Sequence, residues 1–258
     1  MLAGVAVLAL AGCASPRNPR DPLEPFNRQV MKFNEGVDAV VLKPTATAYK
    51  EYVPPLLRTG VSNFFGNLTD AWSAVNSLLQ GRVQNAGDNL FRVHVNTLFG
   101  MGGVFDVASE LNIERHREDL GQTLGRWGVP AGPFIMLPLL GPSTLRDAIA
   151  LPVDRRFDLI QNVDNGSLRN SIYALRLVDV RSNLLRAGDV LDQAALDKYS
   201  FTRDAHLQRR RAEIFETTGD GSDEGSAGEG RPPAEPGAAP AAPAPAAEPG
   251  QPPAAPAR

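Results

Sequence analysis

The chain has 258 residues, of which 26 are basic and 29 acidic, so its net charge is −3, and 43% of its residues are hydrophobic. Residues 219–258 contain two of the basic and six of the acidic side chains, which leaves 24 basic against 23 acidic side chains elsewhere. This balance argues against nucleic acid as a partner, because nucleic-acid binding needs a clear basic excess. About 200 residues lie between the two ends of the chain, which is enough for one sizeable core and predicts one folded domain.

The N-terminus has the pattern of an exported lipoprotein. Residues 1–12 carry no charge and are too few to span a bilayer, which takes about 20 residues, but they suit the hydrophobic region of a signal peptide. This run ends in the letters LAGC, which resemble a bacterial lipobox, and Cys13 is the only cysteine. We expect Cys13 to be acylated, which leaves no disulfide and no thiolate for catalysis. Ala14 favours, by analogy with bacterial lipoproteins, export to the outer membrane, with the protein facing the periplasm.

Residues 13–25 are predicted to be a linker between this anchor and the fold. Four prolines in residues 15–25 favour an extended spacer. A first helix is expected to follow, because apolar residues then recur at helical spacing: Phe26, Val30, Phe33 and Val37. We expect Lys43-Pro44 to interrupt it.

The clearest apolar stripe follows Pro54-Pro55. Its members recur at steps of three or four, which places them on one helical face: Leu57, Val61, Phe64, Leu68, Trp72, Val75 and Leu79. Gly66-Asn67 is expected to break or kink this stretch into two helices. Such a face is more often part of a protein core, but a nearby lipid anchor favours membrane contact. The membrane-face candidates are Phe64, Phe65 and Trp72.

Another helix is predicted from the spacing of Val83, Leu90, His94 and Leu98, and it should end at the glycines of residues 100–103. Residues 121–142 then change character, because glycines and prolines alternate around the uncharged run PFIMLPLL. Exposed loops are normally polar, so this apolar segment must be buried in protein or face lipid.

The rest of the body also indicates helices. Thr144 to Asp147 fits a capping box at the start of a helix, and residues 167–215 have helical spacing, ending in a helix over 204–215. Arg209 and Arg210 on that last helix are candidates for binding phosphate headgroups, although a solvated helix face is an equal alternative. Because no convincing strand pattern occurs, residues 26–218 are predicted to be one all-α domain. Residues 219–258 hold no large apolar side chain, so this tail is expected to be disordered.

Catalytic and metal-binding patterns are missing from the sequence. His94, His116 and His206 lie in different segments without metal-ligand spacing, and His94 is expected to be a core histidine satisfied by neighbouring protein groups. The sequence has no Gly-x-Ser-x-Gly elbow and no nucleotide-binding fingerprint. Ser143 is the best remaining nucleophile, but a serine at a helix start is normally a cap. We expect no cofactor, no metal and no enzymatic activity, and instead a role in binding or structure.

Between about residue 21 and residue 211 the chain has a series of short motifs in a fixed order. They are Asp21-Pro22-Leu23-Glu24, Phe26-Asn27-Arg28, Tyr52-Val53-Pro54, Ser62-Asn63-Phe64, Gly66-Asn67-Leu68, Asn96-Thr97, the stretch from Gly100 to Ala108, the stretch from Asp119 to Gly125, Gly132-Pro133, Leu137-Pro138, the stretch from Gly141 to Asp147, Tyr199 and Gln208-Arg209-Arg210. With these motifs the chain resembles the MlaA (VacJ) family of outer-membrane lipoproteins. Two positions depart from the family pattern: Lys198 stands where proline is usual, and His206 where tyrosine is common.

This resemblance implies a ring of amphipathic helices in the inner leaflet of the outer membrane, enclosing an amphipathic channel. Family members take phospholipids that have strayed into the outer leaflet and pass them to a soluble periplasmic carrier, so that lipid asymmetry is maintained, and they associate with trimeric porins. Irregular backbone at membrane depth is tolerated where it is buried in protein or lines a cavity. The channel candidates are therefore in residues 121–142: Gly121, Gln122, Thr123, Gly125, Phe134, Ile135, Met136, Leu137, Leu139 and Leu140.

Two other functions remain open. A passive outer-membrane scaffold that holds porins or peptidoglycan would use the same anchor and helices without moving lipid. A lipid-degrading enzyme acting through Ser143 is the third interpretation. A scaffold should tolerate polar substitutions in residues 121–142 that leave the fold intact, whereas a transporter should not. Loss of lipid handling in a folded Ser143→Ala variant would favour the enzyme.

Overall fold

The computed structural model describes residues 21–215, and these are mostly helical. The helices are α1 (Glu24–Val37), α2 (Lys43–Tyr52), α3 (Pro55–Leu79), α4 (Val83–Leu98), α5 (Val107–Glu110), α6 (Leu120–Arg126), α7 (Leu145–Arg156), α8 (Gly166–Asn183), α9 (Leu185–Ala194) and α10 (Lys198–Phe215). A π-helical turn, Asp38–Leu42, joins α1 to α2, and a 3-10 turn, Leu159–Asn162, precedes α8. The predicted all-α fold class is confirmed, with a small hairpin as an addition.

The chain stays helical across Lys43-Pro44, so the predicted interruption there is wrong. Proline has no N–H and its ring crowds the carbonyl four residues earlier, which disfavours it inside a helix. Pro44 lies in the first turn of α2, where a missing N–H is tolerated. The π-helical turn just before it changes the hydrogen-bonding step from four residues to five, and the helix continues to Tyr52.

Helix α3 runs without a break for 25 residues, which corrects the predicted break at Gly66-Asn67. The lack of a side chain at Gly66 leaves room for Arg115 to pack against α3. A Cβ at position 66 would lie 2.8 Å from Nη1 of Arg115. The amide of Asn67 donates to Oγ1 of Thr97 on α4, 3.1 Å away. Both residues therefore allow close packing against other parts of the fold.

Residues 134–144 form the hairpin, where we predicted no strand. Strand β1 (Phe134–Leu137) pairs antiparallel with β2 (Gly141–Thr144), with Phe134 opposite Thr144 and Leu137 opposite Gly141. Each strand has only four residues, and prolines occur in the turn and in β2, so no long alternating pattern exists for sequence analysis to detect. Leu139 in the turn has a φ of 63°, an uncommon conformation for a residue with a branched side chain.

The polar and apolar faces of α3 and α4 are reversed relative to a helix on a water-soluble protein. On α3 the buried residues are mostly small or polar: Gly60, Phe65, Gly66, Asn67, Asp70, Ser73, Ala74, Asn76 and Ser77. The exposed large apolar residues of the two helices are Leu56, Leu57, Val75, Leu78, Leu79, Val83, Leu90, Phe91 and Leu98. A soluble amphipathic helix normally buries its apolar stripe. The sequence stripe is thus correctly identified as one face, but much of it points outward.

Packing contacts connect the elements in a closed circuit. Helix α1 packs on β1, the hairpin on α7, α7 on α6 and α6 on α3. Helix α3 packs in turn on α8, α8 on α2, and α2 returns through the π-helical turn to α1. Across residues 21–215, none of the helices combines the length and apolar character needed to cross a membrane.

Candidate functional site

Two asparagines of α1 hold the hairpin by its backbone. Asn27 donates to the carbonyl of Phe134 at 3.0 Å and accepts from the N–H of Met136 at 2.8 Å. Asn34 lies two turns further along the helix and repeats this pattern, because it donates to the carbonyl of Leu137 at 3.0 Å and accepts from the N–H of Leu139 at 2.8 Å. The position of the hairpin tip relative to α1 is therefore fixed by side chains that imitate strand pairing.

A cavity of about 290 Å³ opens beside this hairpin tip. Its walls come from α1 and the π-helical turn, from the hairpin turn and from α8. The lining residues are Asn34, Asp38, Leu42, Leu139, Leu140, Gly141, Leu177, Val180, Arg181 and Leu184. Most of these side chains are aliphatic, so the cavity presents an apolar wall with a small number of charged and polar groups.

The charged groups of this first cavity form one ion pair. Nε of Arg181 lies 2.6 Å from Oδ1 of Asp38, and Nη2 of Arg181 lies 2.8 Å from Oδ2, so the guanidinium and the carboxylate pair side by side. Hydrogen bonding to Asp38 raises the pKa of Arg181, and the charges of Asp189 and Asp192 add to this effect. Sequence analysis missed Asp38 and Arg181, because isolated charged residues on helices give no signal that distinguishes them from ordinary surface residues.

A second cavity, of about 280 Å³, lies between α3, α7 and α8. It is more charged than the first, with Asp154, Asp158 and Arg176 among its lining residues. Burial raises the pKa of Asp154, although hydrogen bonds from Nε1 of Trp72 at 2.8 Å and from the N–H of Leu120 at 3.0 Å oppose this shift. The acceptor oxygen of Asp154 thus links α7 to α3 and to the start of α6.

The four channel candidates on α6 contact other parts of the protein in the structure. Gly121 packs against the ion pair between Asp147 and Arg210, since a Cβ there would lie 2.4 Å from Oδ1 of Asp147. Gln122 and Thr123 are both buried, and Thr123 donates to Oδ1 of Asn76 at 2.8 Å. A Cβ at Gly125 would lie 2.6 Å from Nη1 of Arg146 and 2.7 Å from Cδ1 of Ile214. Their contact with lipid remains a prediction.

The six hairpin candidates differ in where they lie. Phe134 and Met136 are buried in a cluster with Tyr199, and Ile135 and Leu137 are half-buried. Leu139 and Leu140 are exposed at the tip and line the first cavity. Of the channel candidates, these two leucines are brought together at a cavity wall.

The three membrane-face candidates differ from one another in burial and in the rings that they contact. Phe65 is only 6% exposed and makes an edge-to-face contact with Phe64, at 5.5 Å between ring centres. Trp72 stacks on Phe157 at 4.5 Å, and it lines the second cavity. Phe64 is half-buried. Little of the Phe65 ring is available to a membrane, and lipid contact for Phe64 and Trp72 stays a prediction.

The two arginine candidates on α10 have unlike surroundings. Arg210 is buried and pairs with Asp119 at 2.8 Å and with Asp147 at 2.9 Å, so its guanidinium connects α10 to α6 and α7. Arg209 has a side chain that is 68% exposed and lies 3.3 Å from Glu213. Arg210 is therefore committed to carboxylates within the fold, and Arg209 has the more accessible guanidinium.

A buried ion-pair network that sequence analysis missed supports the loop after α4. Arg92 is 1% exposed, and its Nη2 lies 2.6 Å from Oδ1 of Asp106. Nε of Arg115 lies 3.0 Å from Oδ2 of Asp70, which is fully buried. Burial raises the pKa of Asp70 even though both arginines oppose the shift. These groups fix a loop whose exposed residues include Met101.

The possible catalytic residues have structural contacts. The hydroxyl of Ser143 donates to the carbonyl of Thr144 at 3.3 Å, and Thr144 is the residue that caps α7 by accepting from the N–H of Asp147. His94 is exposed, which corrects the expected core position, and Nδ1 is 2.7 Å from the carbonyl oxygen of Leu90. Among residues 21–215 no three His, Cys, Asp or Glu side chains are arranged to hold a metal ion. Cys13 and the tail 219–258 lie outside the described residues.

Comparison with known proteins gives consistent matches over this fold. The family model described as MlaA lipoprotein matches residues 19–213. Proteins named intermembrane phospholipid transport system lipoprotein MlaA are similar: the one from Escherichia coli K12 is 36% identical over 208 residues, covering 78% of this chain and 82% of the relative. The one from Haemophilus influenzae is 35% identical over 224 residues, covering 81% of this chain and 88% of the relative.

One solved structure is similar in fold as well as in sequence. Its description reads "Structural basis for maintenance of bacterial outer membrane lipid asymmetry". The two structures match with a TM-score of 0.67 at 34% sequence identity, covering 75% of this chain and 98% of the other. With the family model spanning most of the described residues, the chain belongs to the MlaA lipoprotein family.

Proposed function

We propose that this protein is an outer-membrane lipoprotein that removes mislocalised phospholipids from the outer leaflet. In this proposal the lipid passes through an amphipathic path in the protein and is handed to a soluble periplasmic carrier for retrograde transport. The relatives named as intermembrane phospholipid transport lipoproteins support the proposal, as does the solved relative described in terms of lipid asymmetry. Transport of this kind needs no covalent step.

The observation that carries the proposal is the first cavity, which combines an aliphatic wall with a single ion pair. A phospholipid has two apolar tails and one charged headgroup, so its path must offer both kinds of surface. Leu177 and Val180 of α8, with Leu184 directly after that helix, provide apolar contact. Asp38 with Arg181 provides a charged end. The hydrophobic effect favours burial of the tails against such a wall.

The reversed faces of α3 and α4 support placement in the membrane interface. Large contiguous apolar surfaces on a protein mark contact with protein partners or with lipid. Helices too short or too polar to span a bilayer can lie in one leaflet with their apolar faces among the acyl chains. An acyl group on Cys13 would hold these faces at the periplasmic side of the outer membrane, where we also propose association with a trimeric porin.

The hairpin is the element best placed to line the lipid path. Leu139 and Leu140 project from its tip beside the cavity, while Asn27 and Asn34 hold its backbone against α1. The α6 candidates would then act indirectly, by supporting the packing of the hairpin and α7, rather than by touching lipid.

The test is to make the cavity wall polar without removing the fold. In a deletion strain, wild-type protein should lower outer-leaflet phospholipid, whereas Leu139→Asp with Leu140→Asp should leave it high. Both leucines are exposed at a turn, so the charge should change the path more than the stability. Leu196→Asp is the control, since Leu196 is a fully exposed leucine outside both described cavities.

A non-transporting scaffold remains the alternative, and the same experiment separates the two functions. A scaffold needs its anchor and outer surface but no apolar path. If the double aspartate variant is present at wild-type levels and restores the outer leaflet fully, the cavity is not the lipid path and the scaffold function gains support.

A further inference from the structure

The ion pair of Asp38 and Arg181 at the charged end of the first cavity has features that suit recognition of a lipid headgroup. Asp38 is the first residue of the π-helical turn, and π-helical turns are rare and frequently found at functional sites. Its partner Arg181 lies 143 residues away on α8, so the pair joins two walls of the cavity. The side chain of Arg181 is 18% exposed and that of Asp38 is 27% exposed, which leaves both open to the cavity.

This ion pair has the same two charges as a zwitterionic headgroup. Phosphatidylethanolamine has an anionic phosphate and, two carbons further, a cationic ammonium. Arginine pairs side by side with phosphate as readily as with carboxylate. A partly exposed ion pair contributes little to stability, so an exchange of partners with such a headgroup costs the fold little.

We propose that Arg181 binds the phosphate of a zwitterionic phospholipid while Asp38 binds its ammonium group, so that the internal ion pair is exchanged for two pairs with the lipid. This proposal rests on the proposed transport function and identifies the lipid class that its path takes. The acyl chains lie along the aliphatic wall that includes Leu177 and Leu184. Nη1 of Arg181, which is not used in the pairing with Asp38, is available for a further phosphate oxygen.

The neighbouring charges favour a zwitterion over an anionic lipid. Asp38, Asp189 and Asp192 all lie close enough to Arg181 to influence its electrostatics. Lys43 pairs with Asp189 at 2.9 Å and Lys198 pairs with Asp192 at 2.7 Å, so these cations are already engaged. A lipid with only a negative headgroup meets the uncompensated carboxylate of Asp38, whereas a zwitterion supplies a cation for it.

Binding is measured with the full chain in detergent micelles, using tail-labelled fluorescent phosphatidylethanolamine as the probe. Unlabelled phosphatidylethanolamine, phosphatidylglycerol, diacylglycerol and inorganic phosphate are the competitors. Wild-type protein should prefer phosphatidylethanolamine over phosphatidylglycerol. Arg181→Gln should weaken binding of phosphatidylethanolamine by about tenfold or more, because a charge-assisted contact is lost, and should leave diacylglycerol unaffected.

Asp38→Asn should change the selectivity in the opposite direction. With the competing carboxylate removed, phosphatidylglycerol should bind about two- to fivefold more tightly, and the preference for phosphatidylethanolamine should disappear. If the ion pair only supported the fold, loss of either partner would change lipid binding in the same direction. Opposite effects of the two substitutions on phosphatidylglycerol binding therefore support recognition, and equal losses overturn it.

Matched controls come from a second side-by-side arginine–carboxylate pair, whose arginine lies on α1. Arg28 pairs with Asp197 at 2.7 Å and 3.0 Å, joins α1 to the start of α10, and lies outside the walls of the two cavities. Arg28→Gln and Asp197→Asn should leave lipid binding unchanged. If thermal unfolding shows that Arg181→Gln has lost its fold, Arg181→Lys keeps the charge but not the planar fork, and it should bind more weakly than wild type.

Three results would overturn the proposal. They are a wild-type preference for phosphatidylglycerol, an equal loss of diacylglycerol and phosphatidylethanolamine binding in Arg181→Gln, and displacement by inorganic phosphate as effective as displacement by the lipid. Complementation in the deletion strain separates this proposal from the transport function. If wild-type protein restores the outer leaflet but binds phosphatidylethanolamine and phosphatidylglycerol equally well, headgroup recognition is refuted and transport is not. If wild-type protein fails to restore the outer leaflet, transport is refuted.

Discussion

Replacing Asn27 with alanine should destabilise the protein more than replacing Asn34, although the two side chains make the same pair of hydrogen bonds to the hairpin. Asn27 is fully buried, and it also donates weakly to Asp21 at 3.4 Å. Asn34 is half-buried and holds the exposed turn that contains Leu139. The difference between the two sites is therefore access of water to the backbone groups that lose their partner.

The expected magnitudes follow from this difference. Asn27→Ala leaves the carbonyl of Phe134 and the N–H of Met136 without this partner in the interior, and each unsatisfied buried group costs about 1–3 kcal/mol. The total is about 2–6 kcal/mol. At Asn34, water replaces both contacts, each worth about 0.5–1.5 kcal/mol. Release of the strained Leu139 conformation, worth roughly 1–2 kcal/mol, offsets much of this. The net effect then ranges from about 1 kcal/mol of stabilisation to about 2 kcal/mol of loss.

Urea unfolding of each variant in the same detergent gives the change in the free energy of unfolding. Hydrogen exchange of residues 134–141 gives the local opening of the hairpin. Asn34→Ala should accelerate exchange at the tip with little global loss, whereas Asn27→Ala should lower global stability. A global loss for Asn34→Ala that equals or exceeds that for Asn27→Ala would refute the assignment of these contacts.

Two other predictions concern packing and pH. Gly121→Ala should lower the melting temperature, because its Cβ would meet the pair formed by Asp147 and Arg210, whereas Gly87→Ala should be neutral or stabilising by about 0.5–1 kcal/mol since nothing lies within 4 Å of its Cβ. Equal effects at the two glycines would contradict this packing. Burial lowers the pKa of His206 from 6.5, and nearby arginines lower it further, so folding opposes protonation and stability should fall as the pH drops below 6.5. His206→Gln should flatten the melting temperature between about pH 7 and pH 5, and an unchanged slope would contradict the expected shift.

The positions of most helices follow from the sequence, because helical spacing of apolar residues depends only on local geometry. The orientation of their faces does not follow from it. The stripe through α3 was correctly identified, but Leu57 and Leu79 on it are exposed while Asp70 and Ser73 on the opposite face are buried. Spacing indicates that a helix has two faces, and it gives no information about which one meets the interior.

Features that depend on distant partners were also missed. Gly66 has the composition of a helix break, yet its role is to admit Arg115, which is 49 residues away in the sequence. The pairing of Asp38 with Arg181 spans 143 residues and requires the folded circuit of helices. The hairpin was missed because its four-residue strands are too short for an alternating pattern. For Gly66 and for the Asp38–Arg181 pair the deciding contact is tertiary, and a local pattern cannot contain it.

We propose that this chain removes phospholipid from the outer leaflet while anchored by its N-terminus. The most direct measurement is the phospholipid content of the outer leaflet in a deletion strain that carries an empty vector, the wild-type protein or Cys13→Ala. Surface phospholipid should be high with the empty vector, return to the parental level with wild type, and stay high with Cys13→Ala. An outer leaflet that is unchanged by the deletion would contradict the transport function, and full rescue by Cys13→Ala would contradict the requirement for the anchor.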